Sequence, residues 1–127
     1  MTFEYKKYFP YKSVREQQAE AIEFALNECI SEGKRFIIIE AGTGVGKSAV
    51  GLTVARYLSE NNNNSAGLFD AGSYFLTTQK ILQEQYVKDF GGFSGPMKSI
   101  KSSSNYTCRF NKKTSCGESL RALRTAE

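Results

Sequence analysis

At 127 residues, 40% hydrophobic and 24% charged, the chain has the size and composition of one soluble domain with a packed core. No apolar run approaches the roughly 20 residues of a membrane span, and the polar opening Met-Thr-Phe-Glu-Tyr-Lys-Lys lacks the apolar stretch of a secretion signal. The expected setting is therefore cytoplasmic (nucleoid, or nuclear in a eukaryote), with no membrane partner and with the three cysteines reduced or metal-bound.

The net charge of +4 is unevenly spread. Residues 1–96 carry ten Lys/Arg against eleven Asp/Glu, whereas residues 97–127 carry seven against two. In that second stretch Tyr106 and Phe110 lie among the cations, a composition that suits a nucleic-acid backbone as well as a solvated face.

In chain order, Ser13 with Glu16 reads as a capping box. The helix it opens keeps Ile22, Leu26 and Ile30 on one stripe, with Ala19, Ala25 and Cys29 alongside, and stops at Gly33. Arg35-Phe36-Ile37-Ile38-Ile39 is short, apolar and β-branched, the pattern of a buried parallel strand. Lys47 to Glu60 predicts a second helix, with Val50, Val54 and Leu58 on one stripe. The polar run from Asn61 to Gly67 predicts a loop, and Ser73-Tyr74-Phe75-Leu76-Thr77 a second strand. Gln79 to Phe90 predicts a helix with Ile81, Leu82, Tyr86 and Val87 inward, closed by Gly91-Gly92. Looser chain follows through Pro96 and Ser102-Ser103-Ser104. Ser115 and Glu118 form another capping box, before a helix that carries Leu120 and Leu123. That helix has no cap before Glu127, which reads as a chain cut short.

Between the first strand and the second helix lies Glu40-Ala41-Gly42-Thr43-Gly44-Val45-Gly46-Lys47-Ser48. Strand, glycine-rich turn and helix are the setting of a phosphate-binding loop. Gly42, Thr43, Gly44, Val45 and Gly46 would let successive backbone N–H groups converge on phosphate oxygens, aided by the positive end of the helix dipole. Lys47 would reach the β- and γ-phosphates of ATP, and the Ser48 hydroxyl would ligate Mg²⁺; these two are the candidate catalytic residues. Alternating strands and helices around such a loop predict an α/β fold, a partial RecA-like P-loop domain with a parallel sheet.

Four pieces of the chain, in order, resemble the XPD/DinG family of iron–sulfur DNA helicases of superfamily 2. Glu40 to Ser48 is similar to that family's motif I. Tyr8-Phe9-Pro10-Tyr11 followed by Arg15-Glu16-Gln17-Gln18 is similar to the region before it, where the resemblance places Arg15 and Gln18 beside the adenine. A Gln carboxamide offers one donor and one acceptor edge, which fits the Hoogsteen edge of adenine. Leu76-Thr77-Thr78-Gln79 through Gln85 looks like motif Ia, which touches the DNA backbone. Asn105-Tyr106-Thr107-Cys108 is similar to the start of the iron–sulfur insertion.

The resemblance implies a motor domain over 1–96 and the beginning of a cluster domain over 97–127. It implies ATP, Mg²⁺ and a [4Fe–4S] cluster as cofactors, and single-stranded DNA or a DNA junction as partner. Cys108 and Cys116, separated by seven residues, would be cluster ligands, with the remaining two outside this sequence. Their other reading is as two ordinary thiols, and Cys29 reads as a structural thiol of the first helix. The family's Asp-Glu-x-His motif has no counterpart, since the sequence contains no Asp-Glu pair and no His. This inventory predicts part of an ATP-dependent DNA helicase, inactive by itself. The alternatives are another P-loop ATPase or kinase, or a short nucleotide- or nucleic-acid-binding protein.

Overall fold

The computed structural model describes residues 3–61, 72–93 and 97–125. Most of the polar run 61–67, together with Pro96 and the last two residues, lies outside them. Among the described residues four α-helices form: α1, Glu16–Leu26; α2, Lys47–Asn61; α3, Lys80–Phe90; and α4, Cys116–Arg124. The chain separates into two compact units, Met1–Leu76 with Gly92–Pro96, and Thr77–Gly91 with Met97–Glu127.

The first unit is built on α1 against α2. Ile22, Ala25 and Leu26 of α1 face Ala49 and Val50 of α2, and Phe3, Tyr5 and Phe9 close the core from the N-terminal side. Ile22 and Leu26 are fully buried, each contributing about 1.5–3 kcal/mol from removal of apolar surface from water. Thr53, also fully buried, satisfies its hydroxyl by donating to Ala49 O at 2.7 Å. Tyr57 packs edge-on against Phe3 and Tyr8, and the Tyr8 hydroxyl donates to Glu60 and accepts from Asn61 Nδ2. This aromatic lock on the far end of α2 has no periodic signature, which is why helical spacing alone did not reveal it.

Three local expectations shift. α1 starts at Glu16 with Arg15 as N-cap, and it is Gln18, not Ser13 with Glu16, that closes the first turn by accepting from Arg15 N. The helix end widens into a π turn over Asn27–Ser31. That extra residue per turn rotates Ile30 out to solvent and leaves Cys29 only half-buried. Gly33 (φ +64°) then ends the helix as expected, with Lys34 N reaching back to Glu28 O at 2.8 Å.

The larger correction concerns the α/β class. Among the described residues there is no strand and no sheet, so the partial RecA-like parallel sheet is not seen; the sole ladder-type contact is an isolated bridge between Thr107 and Ser115. Residues 35–39 and 73–76 are irregular and make no ladder bonds to each other. Phe36 (89%), Ile38 (91%), Tyr74 (90%) and Leu76 (94%) are exposed. A strand is stabilised through its neighbours' backbone groups and cross-strand side chains. Two short segments that do not pair have neither, and burial falls to the helix pair instead.

In the second unit, α3 is followed by an irregular segment, a tight antiparallel turn and α4. Lys101 Nζ meets Glu84 Oε1 at 2.6 Å, and Tyr106 OH accepts from Lys101 N at 2.9 Å. Ile81 and Leu82 of α3 face outward, contrary to the expected stripe, while Phe90 is buried and Tyr86 stacks edge-on against it. α4 carries the predicted capping box: Ser115 Oγ accepts from Glu118 N, and Glu118 Oε2 accepts from Ser115 N. Gly117 sits within 3.4 Å of Ser103 and Ser104 by the position a Cβ would take, so the helix start lies close on that turn.

Candidate nucleotide-binding site

The loop from Glu40 to Ser48 leads straight into α2, with Lys47 as its first helical residue and Ala49 N and Val50 N bonded back to Gly46 O. Gly44 (φ +83°) and Gly46 (φ +84°) both occupy the left-handed region that favours glycine, so the loop curls around its own N–H groups. Lys47 is exposed and its ammonium donates to Ala41 O at 3.0 Å and Gly42 O at 2.8 Å. These carbonyls hold the cation across the mouth of the loop, where a phosphate group would compete for it. Ser48, one residue into α2, is half-buried beside it.

The loop is braced from α1. Gln18 is 5% exposed and uses both ends of its carboxamide: Oε1 accepts from Arg15 N at 3.1 Å, and Nε2 donates to Val45 O at 2.8 Å. Arg15 Nη1 donates to Gly44 O at 3.2 Å. The close approach of Gln18 is possible because residue 46 is glycine; a Cβ there would stand 2.5 Å from Gln18 Nε2. Every loop and brace residue named from the sequence is therefore brought into one place, Arg15, Gln18 and Gly42 through Ser48. The main-chain contacts of Arg15 and Gln18 could not be read from the sequence, because they depend on how α1 packs over the loop.

Beside the loop opens a cleft of about 630 Å³. Ala21 and Phe24 of α1, Ile39, and Val50 and Gly51 of α2 give it apolar walls, and Lys47 stands at its loop side. Gln17, Glu20 and Glu40 also line it, so the cleft combines apolar walls with two carboxylates and the Lys47 ammonium.

In the second unit, Thr77 Oγ1 accepts from Gln79 N at 3.4 Å at the start of α3, so this hydroxyl of the motif Ia segment serves the helix end. Cys108 and Cys116 flank the antiparallel turn, tied by Cys108 N to Thr114 O and Cys116 N to Tyr106 O. Hydrogen bonds from the Ser119 hydroxyl and from the backbone N–H groups of Asn111 and Phe110 hold the Cys108 thiol below its usual range, against the opposing effect of burial. Cys116 is half-buried, with its thiol near Thr107 O at 3.6 Å. Among the described residues no three His, Cys, Asp or Glu side chains gather into a metal-binding group. Two thiols fall short of the four a cluster takes.

A glycine-rich loop at a helix start, braced from the preceding helix, has the local form of a phosphate-binding loop. Residues 11–119 match the family model for the type III restriction enzyme res subunit, and the chain belongs to that family. It is a helicase-like, superfamily 2 ATPase domain. Neither a curated protein nor a solved structure matches significantly. Among the described residues no helix is long and apolar enough to cross a membrane.

Proposed function

We propose that this chain is the ATP–Mg²⁺-binding part of an ATP-dependent DNA helicase. The observation that carries the reading is the loop itself: two positive-φ glycines, Lys47 held at the loop mouth and Ser48 at the start of α2. The residues fit a nucleotide. Backbone N–H groups and the α2 dipole would hold the β- and γ-phosphates, Lys47 would exchange its carbonyl partners for them, and Ser48 would ligate Mg²⁺. Arg15 and Gln18 keep the loop in this shape. For Gln18 to read adenine as well, its carboxamide must release Val45 O.

The narrower XPD/DinG reading is supported by the ordered set of motif-like segments and by the N–H groups turned onto the Cys108 sulfur, a pattern that suits a metal-bound thiolate. Cys108 and Cys116 would be the ligands from this chain. A cluster would supply a rigid cross-link there, and no step of nucleotide binding passes through it. DNA would meet the cations of the second unit and the start of α3.

Hydrolysis needs an acidic pair to hold Mg²⁺ and orient water, and the sequence has no Asp-Glu pair. The 127-residue chain should therefore bind ATP–Mg²⁺ without turning it over. Titration with a fluorescent ATP analogue tests this: Lys47→Ala should remove most of the affinity. Equal affinity in the variant, or Lys47-dependent phosphate release by the chain, would overturn the reading.

A further inference from the structure

The antiparallel turn of the second unit carries a feature that nucleotide binding does not use. Arg109, Phe110, Asn111, Lys112 and Lys113 are five consecutive exposed residues, and the Phe110 ring has no shelter at all. From Met97 to Gly117 the sequence has five cations and not one acidic residue. Lys101 is engaged by Glu84, which leaves Lys98, Arg109, Lys112 and Lys113 as the cations without a carboxylate in this stretch to neutralise them.

This tip is not a loose loop. Cys108 N donates to Thr114 O at 3.0 Å, Thr114 N to Asn111 O at 3.1 Å, and Lys113 N to Asn111 Oδ1 at 3.2 Å. The backbone that bears Phe110 is thus fixed from behind while its ring points into water. A built turn that presents one aromatic ring between cations is the arrangement used to hold single-stranded nucleic acid: charges track the phosphates and the ring takes a base face.

We propose that Phe110 stacks on an unpaired nucleobase while Arg109, Lys112 and Lys113 hold the neighbouring phosphates. The proposal rests on the nucleic-acid side of the helicase reading and assigns that role to particular residues. The same cations could attract an anionic lipid surface, but Arg109 and Asn111 flank Phe110, and a lone ring with no apolar neighbour at the tip adds little insertion area. Stacking is indifferent to base identity, so the site would show little sequence preference.

The sequence contains no Trp, so Phe110→Trp introduces a single indole probe in the whole 127-residue chain. Short oligo(dT) should quench it, and an abasic strand of the same length should not. Phe110→Ala should weaken oligo(dT) binding about tenfold without changing its salt dependence, since stacking releases no counterions. Lys112→Ala with Lys113→Ala should instead lower the salt slope by about 0.7 per lost contact. If the charge variants weaken binding and Phe110→Ala does not, stacking is refuted and the nucleic-acid surface stands. If neither Phe110→Ala nor the charge variants weaken binding, this unit is removed as the contact surface, while ATP binding through Lys47 is judged separately. Quenching by phosphatidylserine vesicles but not by oligo(dT) would overturn the proposal in favour of a lipid surface.

Discussion

Gly46→Ala is the sharpest probe of how α1 and the phosphate loop work as one piece. Two costs can be separated. The first is conformational: residue 46 has φ +84°, and an L side chain in that region costs about 1–2 kcal/mol. The second is contact: the new Cβ would lie 2.5 Å from Gln18 Nε2, so the carboxamide must swing away from Val45 O. Losing that bond removes about 1 kcal/mol, and leaving a buried amide without a partner raises the loss to about 1–3. Gly46→Ala should therefore destabilise the first unit by about 2–5 kcal/mol. Gly44→Ala is the control, with φ +83° and nothing within 4 Å of its added Cβ, so only the conformational cost of about 1–2 kcal/mol applies. Urea unfolding of the two variants measures the difference. Repeating Gly46→Ala in a Gln18→Ala background should bring its cost down to that of Gly44→Ala, because the obstructing atom is gone. Equal destabilisation by Gly44→Ala and Gly46→Ala in the native background would refute the brace.

Further outcomes follow from the same geometry. Gln18→Ala should weaken ATP and GTP binding alike, since its bonds go to the loop and to the Arg15 backbone; a loss confined to ATP would show a base-reading role instead. Lys101 holds the Glu84 carboxyl below its ordinary value of 4.5, so the folded second unit gains from the ionised form above that value and loses the gain as pH falls through the lowered one. Glu84→Gln should abolish this acid-side loss in circular dichroism, and an unchanged acid profile would count against the pair. In a protein that supplies the two further ligands, anaerobic reconstitution with iron and sulfide should give iron–thiolate absorbance that Cys108→Ser or Cys116→Ser removes and Cys29→Ser leaves; dependence on Cys29 would refute the assignment of ligands.

The four helices and some of their ends were legible because local chemistry sets them, although the start of α1 was not. Gly33 and the Ser115–Glu118 box act within a turn or two, and the 3.6-residue spacing of Ile22 and Leu26 marks a face whatever it packs on. The glycine-rich loop was legible for a similar reason, since its backbone conformation is encoded residue by residue. The strands were not. Phe36, Ile38 and Tyr74 have the β-branched or aromatic character of strand residues, yet a strand exists only through the ladder bonds of a neighbour. Sequence pattern reports a preference for extended backbone and says nothing about whether a partner is at hand. Lys101 shows the same limit in electrostatics: one of the seven cations of residues 97–127 by sequence, it is engaged by Glu84, 17 positions away along the chain.

The brace on the phosphate loop also explains why helix packing alone can preserve a loop that elsewhere would be held between a strand and a helix. Among the described residues the strand side contributes no ladder bonds, so two hydrogen bonds, from Arg15 to Gly44 O and from Gln18 to Val45 O, stand in for that support. Gln18 reaches Val45 only because Gly46 offers no Cβ, and Gln18 is buried only because α1 lies against α2 through Ile22, Leu26 and Val50. Stability and binding are therefore linked through the same few atoms. A core change such as Leu26→Ala removes about 2–5 kcal/mol of packing, and by loosening α1 it also frees the carboxamide that shapes the loop. Nucleotide binding should partly reverse that loosening, because a ligand that prefers the ordered loop stabilises every contact the loop depends on.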